Sequence, residues 1–232
     1  MTSIRTICKT GIGVLNKVYL AAAAGNCSLQ GTSVFRVRAG VADGNDVRFE
    51  GCRMTVTHCV VGGTGNRVIA HNAEIDETSI TIHGEHNVLR IEEGVKLRKA
   101  EVIIRGMGNI VSIGRETTFG GIRIVNVGNR NEVVIGESCL FADHIELWAS
   151  DTHAIFDAGG KFLNPERPVR IGNKVWVCSH VKILKGVTIG DGAVIGMNTM
   201  VTKNIAPRIL VAGNPLRCLK KKISWTLGYD NR

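Results

Sequence analysis

One histidine of this sequence lies in a segment whose composition sets it apart from the rest. His153 stands between Asp151 and Asp157 in the stretch SDTHAIFDAGGKFLNPERPVRIG, residues 150–172, which also holds a glycine pair and two prolines. Imidazole titrates close to neutral pH, so a neutral histidine can accept the proton of a hydroxyl group that hardly ionises by itself. Such a base accelerates a reaction by about 10²–10⁴-fold. We therefore predict that His153 is a general base.

Other residues could assist or replace His153 in this role. A catalytic base needs a group that holds its tautomer; Asp151 is near His153 in sequence, and Glu146 is one short strand away. We assign Asp151 to the site with His153. His144, nine residues earlier in the stretch FADHIEL, is the rival base, although its phase with neighbouring apolar residues favours a coil face. His180 is expected at an ordinary surface position.

The composition indicates what kind of scaffold holds this segment. The chain has 232 residues, of which 44% are hydrophobic but only 5% aromatic, and 28 are glycine. Few aromatics with many Gly, Val and Ile favour a thin, repetitive β core in one large domain or two small ones. The net charge of +9 indicates an anionic partner, such as a phosphate-bearing cofactor. Nucleic acid is not expected, because no basic helix interleaved with aromatics occurs.

The cysteines and the N-terminus bear on location. Seven cysteines, an odd number without a CxxC pair, predict reduced thiols in a cytoplasmic protein and neither disulfides nor a metal site. The sequence contains no run of about 18 apolar residues, so we predict no transmembrane helix. Residues 1–24 combine early positive charge with an Ala tract, but Lys9 and Lys17 interrupt any apolar run. We predict a short amphipathic helix there, which allows a peripheral membrane contact, rather than a signal peptide.

A period of six residues dominates the C-terminal part of the sequence. Stepping by six reaches a β-branched residue every time: Ile171, Val177, Ile183, Ile189, Ile195 and Val201. A period of six matches neither a helix nor a simple strand. It fits one short strand plus one corner, and a glycine often follows the inward Ile or Val where the backbone turns. Three such units make a triangular coil of about 18 residues, and neighbouring coils stack at the strand spacing of about 4.8 Å.

The N-terminal half has a longer period. Similar phrases open at six asparagines, of which the last four intervals are 21, 21, 22 and 22 residues: Asn26, Asn45, Asn66, Asn87, Asn109 and Asn131. One coil of about 18 residues plus a turn of three or four accounts for this spacing, so the pattern predicts a solenoid. We interpret the asparagines as structural turn residues that tolerate left-handed backbone and can stack in a ladder.

The predicted architecture is an all-β solenoid of triangular coils over residues 25–207, with a long loop at 150–168 and a closing turn and short helix at 208–232. Crossovers between parallel strands are nearly always right-handed, and this rule alone predicts a right-handed coil. A repetitive wall offers no concave site, so we expect the loop to form one on the rigid scaffold.

The segment VRIGNKVWVCSHVKILKGVTIGDGAVIGMNTMVTKNIAPRILVAGNPLRCLKKKI resembles the hexapeptide-repeat acyltransferases. The similarity rests on IG at hexad corners, VW in the first hexad, VTIGDGAVIG, and VAGNP followed by basic residues. It is strong from Phe141 to Ile223 and looser upstream. The loop SDTHAIFD followed by VWV resembles the branch that O-acetylates sugars in capsule, O-antigen or exopolysaccharide. The chain departs from the family where Val177 and Cys178 replace Ile-Gly, and where IGMNTMVTKN replaces IGAGSVVTKD.

This resemblance implies a left-handed parallel β-helix, an exception to the crossover rule, and a homotrimer with its site between adjacent subunits. It implies transfer of an acetyl group from acetyl-CoA to a carbohydrate acceptor by direct attack, with His153 as the base. Trp176 is assigned to the site because an outward-facing indole is costly unless something covers it. A sugar ring or the acetyl end of the cofactor could cover it, or it could pack beneath the 150–168 loop.

The resemblance also implies a groove for the cofactor. The turn after VAGN closes over the nucleotide of CoA, and the basic residues beyond it face the phosphates, unless they are only the solvated face of a helix. Exposed amides at hexad corners line the pantetheine arm, and one corner N–H stabilises the oxyanion. The residues assigned to cofactor binding are Cys178, Gly196, Thr199, Lys203, Gly213, Pro215, Arg217 and Lys220.

Three other functions stay open. An N-acetyltransferase acting on an amino sugar nucleotide uses the same fold but usually adds an N-terminal α/β domain, which is not expected here. A metal-dependent hydratase of the carbonic anhydrase type needs three histidines, and His144 and His153 are nine residues apart without a close partner. A non-catalytic solenoid that only binds a partner needs neither the AGNP turn nor the loop around His153.

Overall fold

The computed structural model describes residues 19–22 and 26–228, and every regular element within them is a β-strand. The predicted all-β fold is confirmed as a parallel solenoid of about eight turns. Strands recur in a cycle of three, so each complete coil contributes one strand to each of three sheets, which we name the first, second and third faces.

The first face contains nine strands, each paired in parallel with the strand one coil away. Its strands are longest in the middle coils, where the chain has the longer period. They are β1 (Tyr19–Ala22), β4 (Arg38–Val41), β7 (His58–Thr64), β10 (Ser79–Glu85), β13 (Ala100–Met107), β16 (Ile122–Asn129), β19 (Ile145–Trp148), β22 (Lys182–Leu184) and β25 (Met200–Val201).

The second and third faces contain eight and ten strands. The second face is formed by β2 (Asn26–Ser28), β5 (Asp46–Glu50), β8 (Arg67–His71), β11 (Val88–Ile91), β14 (Ile110–Ile113), β17 (Glu132–Ile135), β20 (Val169–Ile171) and β23 (Thr188–Ile189). The third face is formed by β3 (Ser33–Phe35), β6 (Arg53–Thr55), β9 (Glu74–Asp76), β12 (Lys96–Arg98), β15 (Thr118–Phe119), β18 (Leu140–Phe141), β21 (Trp176–Val177), β24 (Val194–Ile195), β26 (Ile209–Ala212) and β27 (Arg217–Lys221).

The core is a narrow column of aliphatic side chains inside the triangle. All six β-branched residues found by stepping six positions through the C-terminal coils point inward, and none is more than 3% exposed. Residues 18 positions apart, such as Ile171 and Ile189, are stacked one coil above the other, as three hexads to a coil predict. Phe119 and Phe141, in neighbouring coils of the third face, stack at 4.7 Å between ring centroids.

The predicted asparagine ladder is confirmed. The side-chain amide of Asn66 donates to Asn45 Oδ1 at 2.9 Å, that of Asn87 donates to Asn66 Oδ1 at 2.9 Å, and that of Asn109 donates to Asn87 Oδ1 at 3.0 Å. Their predicted left-handed backbone is wrong, because the positive φ falls on the preceding residue, such as Gly65. The asparagine itself points inward, where its amide satisfies backbone groups that the extended turn leaves unpaired.

Glycines occupy the extra turn of these longer coils for a steric reason. Gly63, Gly84, Gly106 and Gly128 lie directly above one another and have φ between 88° and 126°. A Cβ added to Gly84 would stand 2.0 Å from the carbonyl oxygen of Gly106. Only glycine permits both this φ and this approach of one coil to the next.

The helix predicted over residues 1–24 falls almost entirely outside the described residues. The part that is described, β1, contradicts it, because Tyr19–Ala22 pair in parallel with Arg38–Val41. Pairing with the open edge of the first coil outweighs the helical preference of the alanines. No helix among residues 19–22 and 26–228 is long and apolar enough to cross a membrane.

The helix predicted within residues 208–232 is also wrong over the residues that are described. Ile209–Ala212 continue the third face, with Val211 buried opposite Ile195, so the solenoid extends past residue 207. After a cis Asn214–Pro215 bond the chain reverses, and Arg217–Lys221 pair antiparallel with that last strand. The open edge offers hydrogen bonds that a short helix could not match, and the lysines of β27 discourage further strands from adding.

The ladder predicts a large loss of stability when Asn87 becomes alanine. The substitution removes a buried acceptor of the Asn109 backbone N–H and a buried donor to the Gly106 carbonyl. We expect the free energy of unfolding in urea to fall by about 3 kcal/mol, since each buried group left unpaired costs about 1–3 kcal/mol. Asn26→Ala is the control, because Asn26 is exposed. Equal midpoints for the two variants would contradict a structural role for the ladder.

Candidate functional site

The long loop leaves the solenoid at the corner between the first and second faces, after β19, and returns at β20. The two ends of the loop are joined where the N–H of Arg167 donates to the carbonyl of Ala149 at 3.2 Å. Further out, Phe156 and Phe162 form an antiparallel bridge with their rings 5.7 Å apart, and Asp157 closes a tight turn at the tip. The loop is therefore a small hairpin that stands on the coil.

Three polar residues fasten the two arms of the loop. The ammonium of Lys185 lies 2.6 Å from Asp151 Oδ2 and 2.9 Å from the carbonyl of Asn164. The side-chain amide of Asn164 donates to Asp151 Oδ2 at 2.8 Å. Partial burial would raise the pKa of Asp151, but its hydrogen bonds with Lys185 and Asn164 outweigh burial and hold that pKa below its ordinary value. Asp151 is therefore an ionised carboxylate at neutral pH.

His153 is held by its backbone and has an exposed side chain. Its N–H donates to the carbonyl of Asp151 at 2.8 Å, and its own carbonyl accepts from the Asn164 amide at 2.9 Å. The Asp151 carboxylate binds Lys185 and Asn164, so it fixes the loop that carries His153; the predicted contact with the imidazole is not formed within this chain.

A cavity of about 190 Å³ lies beside His153, between the loop and the end of β16. Ser150, which is 6% exposed, lines it, and the buried Ser150 hydroxyl has no hydrogen-bond partner among the described residues. Glu166 also lines the cavity, and one of its oxygens accepts the N–H of Asn129 at 2.8 Å. The glycine column ends here at Gly128, so the Glu166 carboxylate occupies the place where another coil would continue the stack.

The rival base lies at a different corner. His144 and His180 stack with parallel rings, 4.7 Å between centroids, at the corner between the third and first faces. Both have positive φ and lie at corners, so the coil-face position predicted for His144 is wrong, while His180 is exposed as predicted. His144 Nε2 lies 3.6 Å from Asp143 Oδ2, and the Ser179 hydroxyl, which donates to Asp143, lowers the pKa of that carboxyl. A groove of about 630 Å³ runs past His144 along this corner.

Trp176 is half-buried on the outer surface of the third face, and the 150–168 loop, which was the cover predicted within the chain, is not the observed one. The 150–168 loop starts at another corner, whereas Trp225 of the C-terminal tail packs against Trp176 with 5.9 Å between ring centroids. The Trp225 indole N–H donates to the carbonyl of Lys174 at 2.8 Å and so holds the tail in place. His153 and Trp176 thus lie on different sides of one chain.

The turn proposed to close over the cofactor is fixed to the coil beneath it. Asn214 Oδ1 accepts the N–H of Met200 at 2.7 Å, and its amide donates to the carbonyl of Asn198 at 3.0 Å. The N–H of Gly213 donates to Thr199 Oγ1 at 3.1 Å. The side chains that the turn leaves free are on the outside, where Pro215, Arg217, Lys220 and, one coil earlier, Lys203 are all exposed.

Three residues predicted to bind the cofactor are buried in the coil or have their backbone N–H occupied within it. Thr199 is 1% exposed and Gly196 donates its N–H to the carbonyl of Val211, so neither presents an exposed amide. The N–H of Cys178 donates to the carbonyl of Ile195 at 3.0 Å and is therefore not available to an oxyanion. Stacked coils use nearly all their backbone groups among themselves. Burial raises the pKa of the Cys178 thiol, which keeps it protonated.

The comparison with known sequences gives the same class that the motifs indicate. Residues 168–203 match the family described as bacterial transferase hexapeptide (six repeats). The chain is 35% identical over 139 residues to the polysialic acid O-acetyltransferase of Escherichia coli O1:K1, covering 59% of this chain and 44% of the relative. It is 40% identical over 91 residues to the galactoside O-acetyltransferase of Escherichia coli K12, covering 38% and 44%. The chain spans about half the length of the curated relatives it matches.

Solved structures extend the likeness to almost the whole chain. The polySia-specific acetyltransferase NeuO superimposes with a TM-score of 0.66 at 27% identity, over 93% of this chain and 90% of that one. The polysialic acid O-acetyltransferase OatWY superimposes with a TM-score of 0.62 at 24% identity, over 89% and 94%, which shows the shared fold.

Over residues 168–203 the chain matches the bacterial transferase hexapeptide repeats, which supports the predicted resemblance to the hexapeptide-repeat acyltransferases. The chain is similar to the polysaccharide O-acetyltransferases, as the loop and the Asn-rich coils predicted. The coil is left-handed, so the prediction from the resemblance is confirmed and the one from the crossover rule is wrong.

The contact between Trp225 and Trp176 predicts an effect on tryptophan exposure. Trp225→Ala and Trp225→Phe both leave the tryptophans at 148 and 176, but only the phenylalanine variant keeps a ring over Trp176. We expect the alanine variant to show red-shifted emission and faster acrylamide quenching than the phenylalanine variant, because an uncovered indole meets water. Identical quenching in the two variants would show that the tail does not cover Trp176 in solution.

Proposed function

We propose that this protein transfers an acetyl group from acetyl-CoA to a hydroxyl of a sugar in a capsular, O-antigen or exopolysaccharide, or in its precursor. The observation that carries the proposal is the cavity that brings His153 together with the buried, unpartnered hydroxyl of Ser150. The volume of about 190 Å³ suits one sugar ring better than a long aglycone. The sequence similarity to sugar O-acetyltransferases supports a hydroxyl as the acceptor.

In the proposed reaction His153 acts as the general base. Its imidazole takes the proton from the sugar hydroxyl while the hydroxyl oxygen forms a bond to the thioester carbonyl carbon. The carbon–sulfur bond then breaks, and the protonated imidazole returns its proton to the leaving thiolate. No acyl-enzyme is required, which agrees with a Cys178 thiol that burial keeps protonated.

The acyl donor is proposed to bind along the third-face end of the coil. Acetyl-CoA carries several phosphate charges, and the exposed cations of Lys203, Arg217 and Lys220 offer complementary charge beside the fixed turn at Gly213. The net charge of +9 also favours an acidic polysaccharide as acceptor. Acetyl-CoA and reduced thiols are both found in the cytoplasm, which we propose as the location.

A homotrimer completes this proposal. One chain places His153 at the corner between the first and second faces and Trp176 on the third face. Within one chain, these two side chains therefore cannot contact the same substrate. We propose that copies pack side by side, with this corner of one copy against the third face of the next. We propose that the site forms between subunits, with His153 from one and Trp176 from its neighbour.

Substitution of the two histidines tests the assignment of the base. We expect His153→Ala to lower kcat/KM for acetyl transfer by about 10²–10⁴-fold, because the base is lost. His144→Ala should leave it within about twofold, since His144 lies at another corner. The measurement is thiol release from acetyl-CoA with a panel of oligosaccharides as acceptors. Loss of activity in His144→Ala alone would move the base to His144, and binding of oligosaccharides without turnover would favour a non-catalytic solenoid.

The hydroxyl of Ser150 is expected to bind the acceptor. Ser150→Ala removes one neutral hydrogen bond, so kcat/KM for the sugar should fall by about 3- to 10-fold. The KM for acetyl-CoA should not change, because the cavity lies at the corner between the first and second faces and the basic turn belongs to the third face. Ser112→Ala, on the outer surface of the second face, is the matched control. An unchanged kcat/KM in Ser150→Ala would show that this hydroxyl does not contact the sugar.

A further inference from the structure

Lys185 occupies an unusual place for a lysine on the outside of a coil. It follows β22, one coil beyond the strand that leads into the loop, and its side chain is only 18% exposed. Lysines and arginines in the other ion pairs of the described residues are 45–64% exposed. Its ammonium lies between the two arms of the loop and bonds to both, to Asp151 on the outgoing arm and to Asn164 on the returning arm.

Asn164 links the arms a second time. Its side-chain amide donates to Asp151 Oδ2 at 2.8 Å and to the carbonyl of His153 at 2.9 Å, while its Oδ1 accepts the N–H of Ile155 at 2.7 Å. These bonds reach the residue on either side of Ala154, so they fix the backbone on which His153 stands. We name Asp151, Asn164 and Lys185 the loop clamp.

The rest of the loop supplies little else to hold His153. The loop residues between 150 and 168 lack any ladder pairing with the coil, and the bridge between Phe156 and Phe162 joins the hairpin only to itself. Most side chains from residue 151 to 166 are exposed, so apolar packing does not anchor them. Glu166 and Arg167 also bond to the coil, but they hold only the base of the returning arm, whereas the loop clamp connects the coil to the backbone of His153 itself.

We propose that Lys185 is a positioning residue for catalysis, acting on His153 through Asp151 and Asn164. This inference rests on the proposed function, because it concerns the same site. Strand pairing fixes the coil around Lys185, so this residue can hold the loop in one position, whereas loop residues alone cannot. A base displaced by about 1 Å loses up to about 10²-fold in rate, so the loop clamp matters for turnover even though none of its side chains touches the reacting atoms.

Lys185→Met and Lys182→Met form a matched pair for the test. Both remove one positive charge from the same stretch of the first face, but Lys182 is paired with Glu146 and does not touch the loop. We expect Lys185→Met to lower kcat by about 10- to 100-fold with KM for acetyl-CoA within about twofold. Lys182→Met should match the wild type. Lys185→Arg should recover part of the lost kcat, because a guanidinium can still bond to Asp151.

Hydrogen exchange separates positioning from general damage to the fold. The amides of His153 and Ile155 donate within the clamped loop, so we expect both to exchange about tenfold faster or more in Lys185→Met, with coil amides unchanged. Equal kcat in Lys185→Met and Lys182→Met would overturn the proposal. Faster exchange throughout the coil would do so as well, since Lys185 would then only stabilise the fold.

The same pair of variants distinguishes this proposal from failure of the proposed function. If the wild type transfers acetyl groups to no sugar hydroxyl, the proposed function is wrong and the catalytic part of this inference is wrong with it. Exchange in the loop remains measurable in that case. Faster exchange at His153 in Lys185→Met would support the loop clamp as a device that orders the loop, and unchanged exchange would reject the clamp itself.

Discussion

Hydrogen bonding between successive coils is the constraint on which the rest of the structure depends. Each strand pairs in parallel with the strands one coil before and after it, so every residue must fit the residue stacked above and below. A deviation in one coil must be repeated in the next or ended by a special residue. The extra turn of the N-terminal coils shows both cases: it is repeated from Gly63 to Gly106, and at Gly128 the Glu166 carboxylate ends it.

The same constraint decides where chemistry can occur. Backbone groups inside the stack are occupied by the neighbouring coil, which is why the N–H groups of Gly196 and Cys178 are not free for a ligand. Among the described residues, two buried side-chain oxygens lack a partner, Asn126 Oδ1 on β16 and the Ser150 hydroxyl, and both lie just past the point where β19 stops pairing with β16. Ser150 stands at such a break, where the chain leaves the first face and its hydroxyl is buried beside the loop. A site built on this fold therefore belongs at an interruption, on residues whose positions the coil fixes from outside the loop.

Much of the fold followed from the sequence because the constraint is periodic. Equivalent positions of successive coils stack on one another, so the sequence repeats a buried Val or Ile every six residues and an asparagine every 21 or 22. Both patterns are observed in the structure. The predictions of two terminal helices were wrong, because local composition does not show that a segment can pair with the open edge of a sheet. In the candidate site, His153 was predicted from its surroundings and stays a prediction, whereas the contacts of Asn164, Lys185 and Trp225 were missed. Their contacts join positions 13, 34 and 49 residues apart, outside any period. The rarity of tryptophan was the one signal for Trp225.

The division of the candidate site between faces has a consequence for assembly. A solenoid whose coils satisfy their own backbone and bury their own aliphatic column does not need partners to form its core. His153 and Trp176, however, stand on different sides of that core, and a stiff column cannot bend to bring them together. The proposed homotrimer is thus a requirement of the chemistry rather than of folding. It follows that a surface change which separates the subunits should abolish acetyl transfer and leave the coil intact, whereas loss of a ladder asparagine damages the coil first.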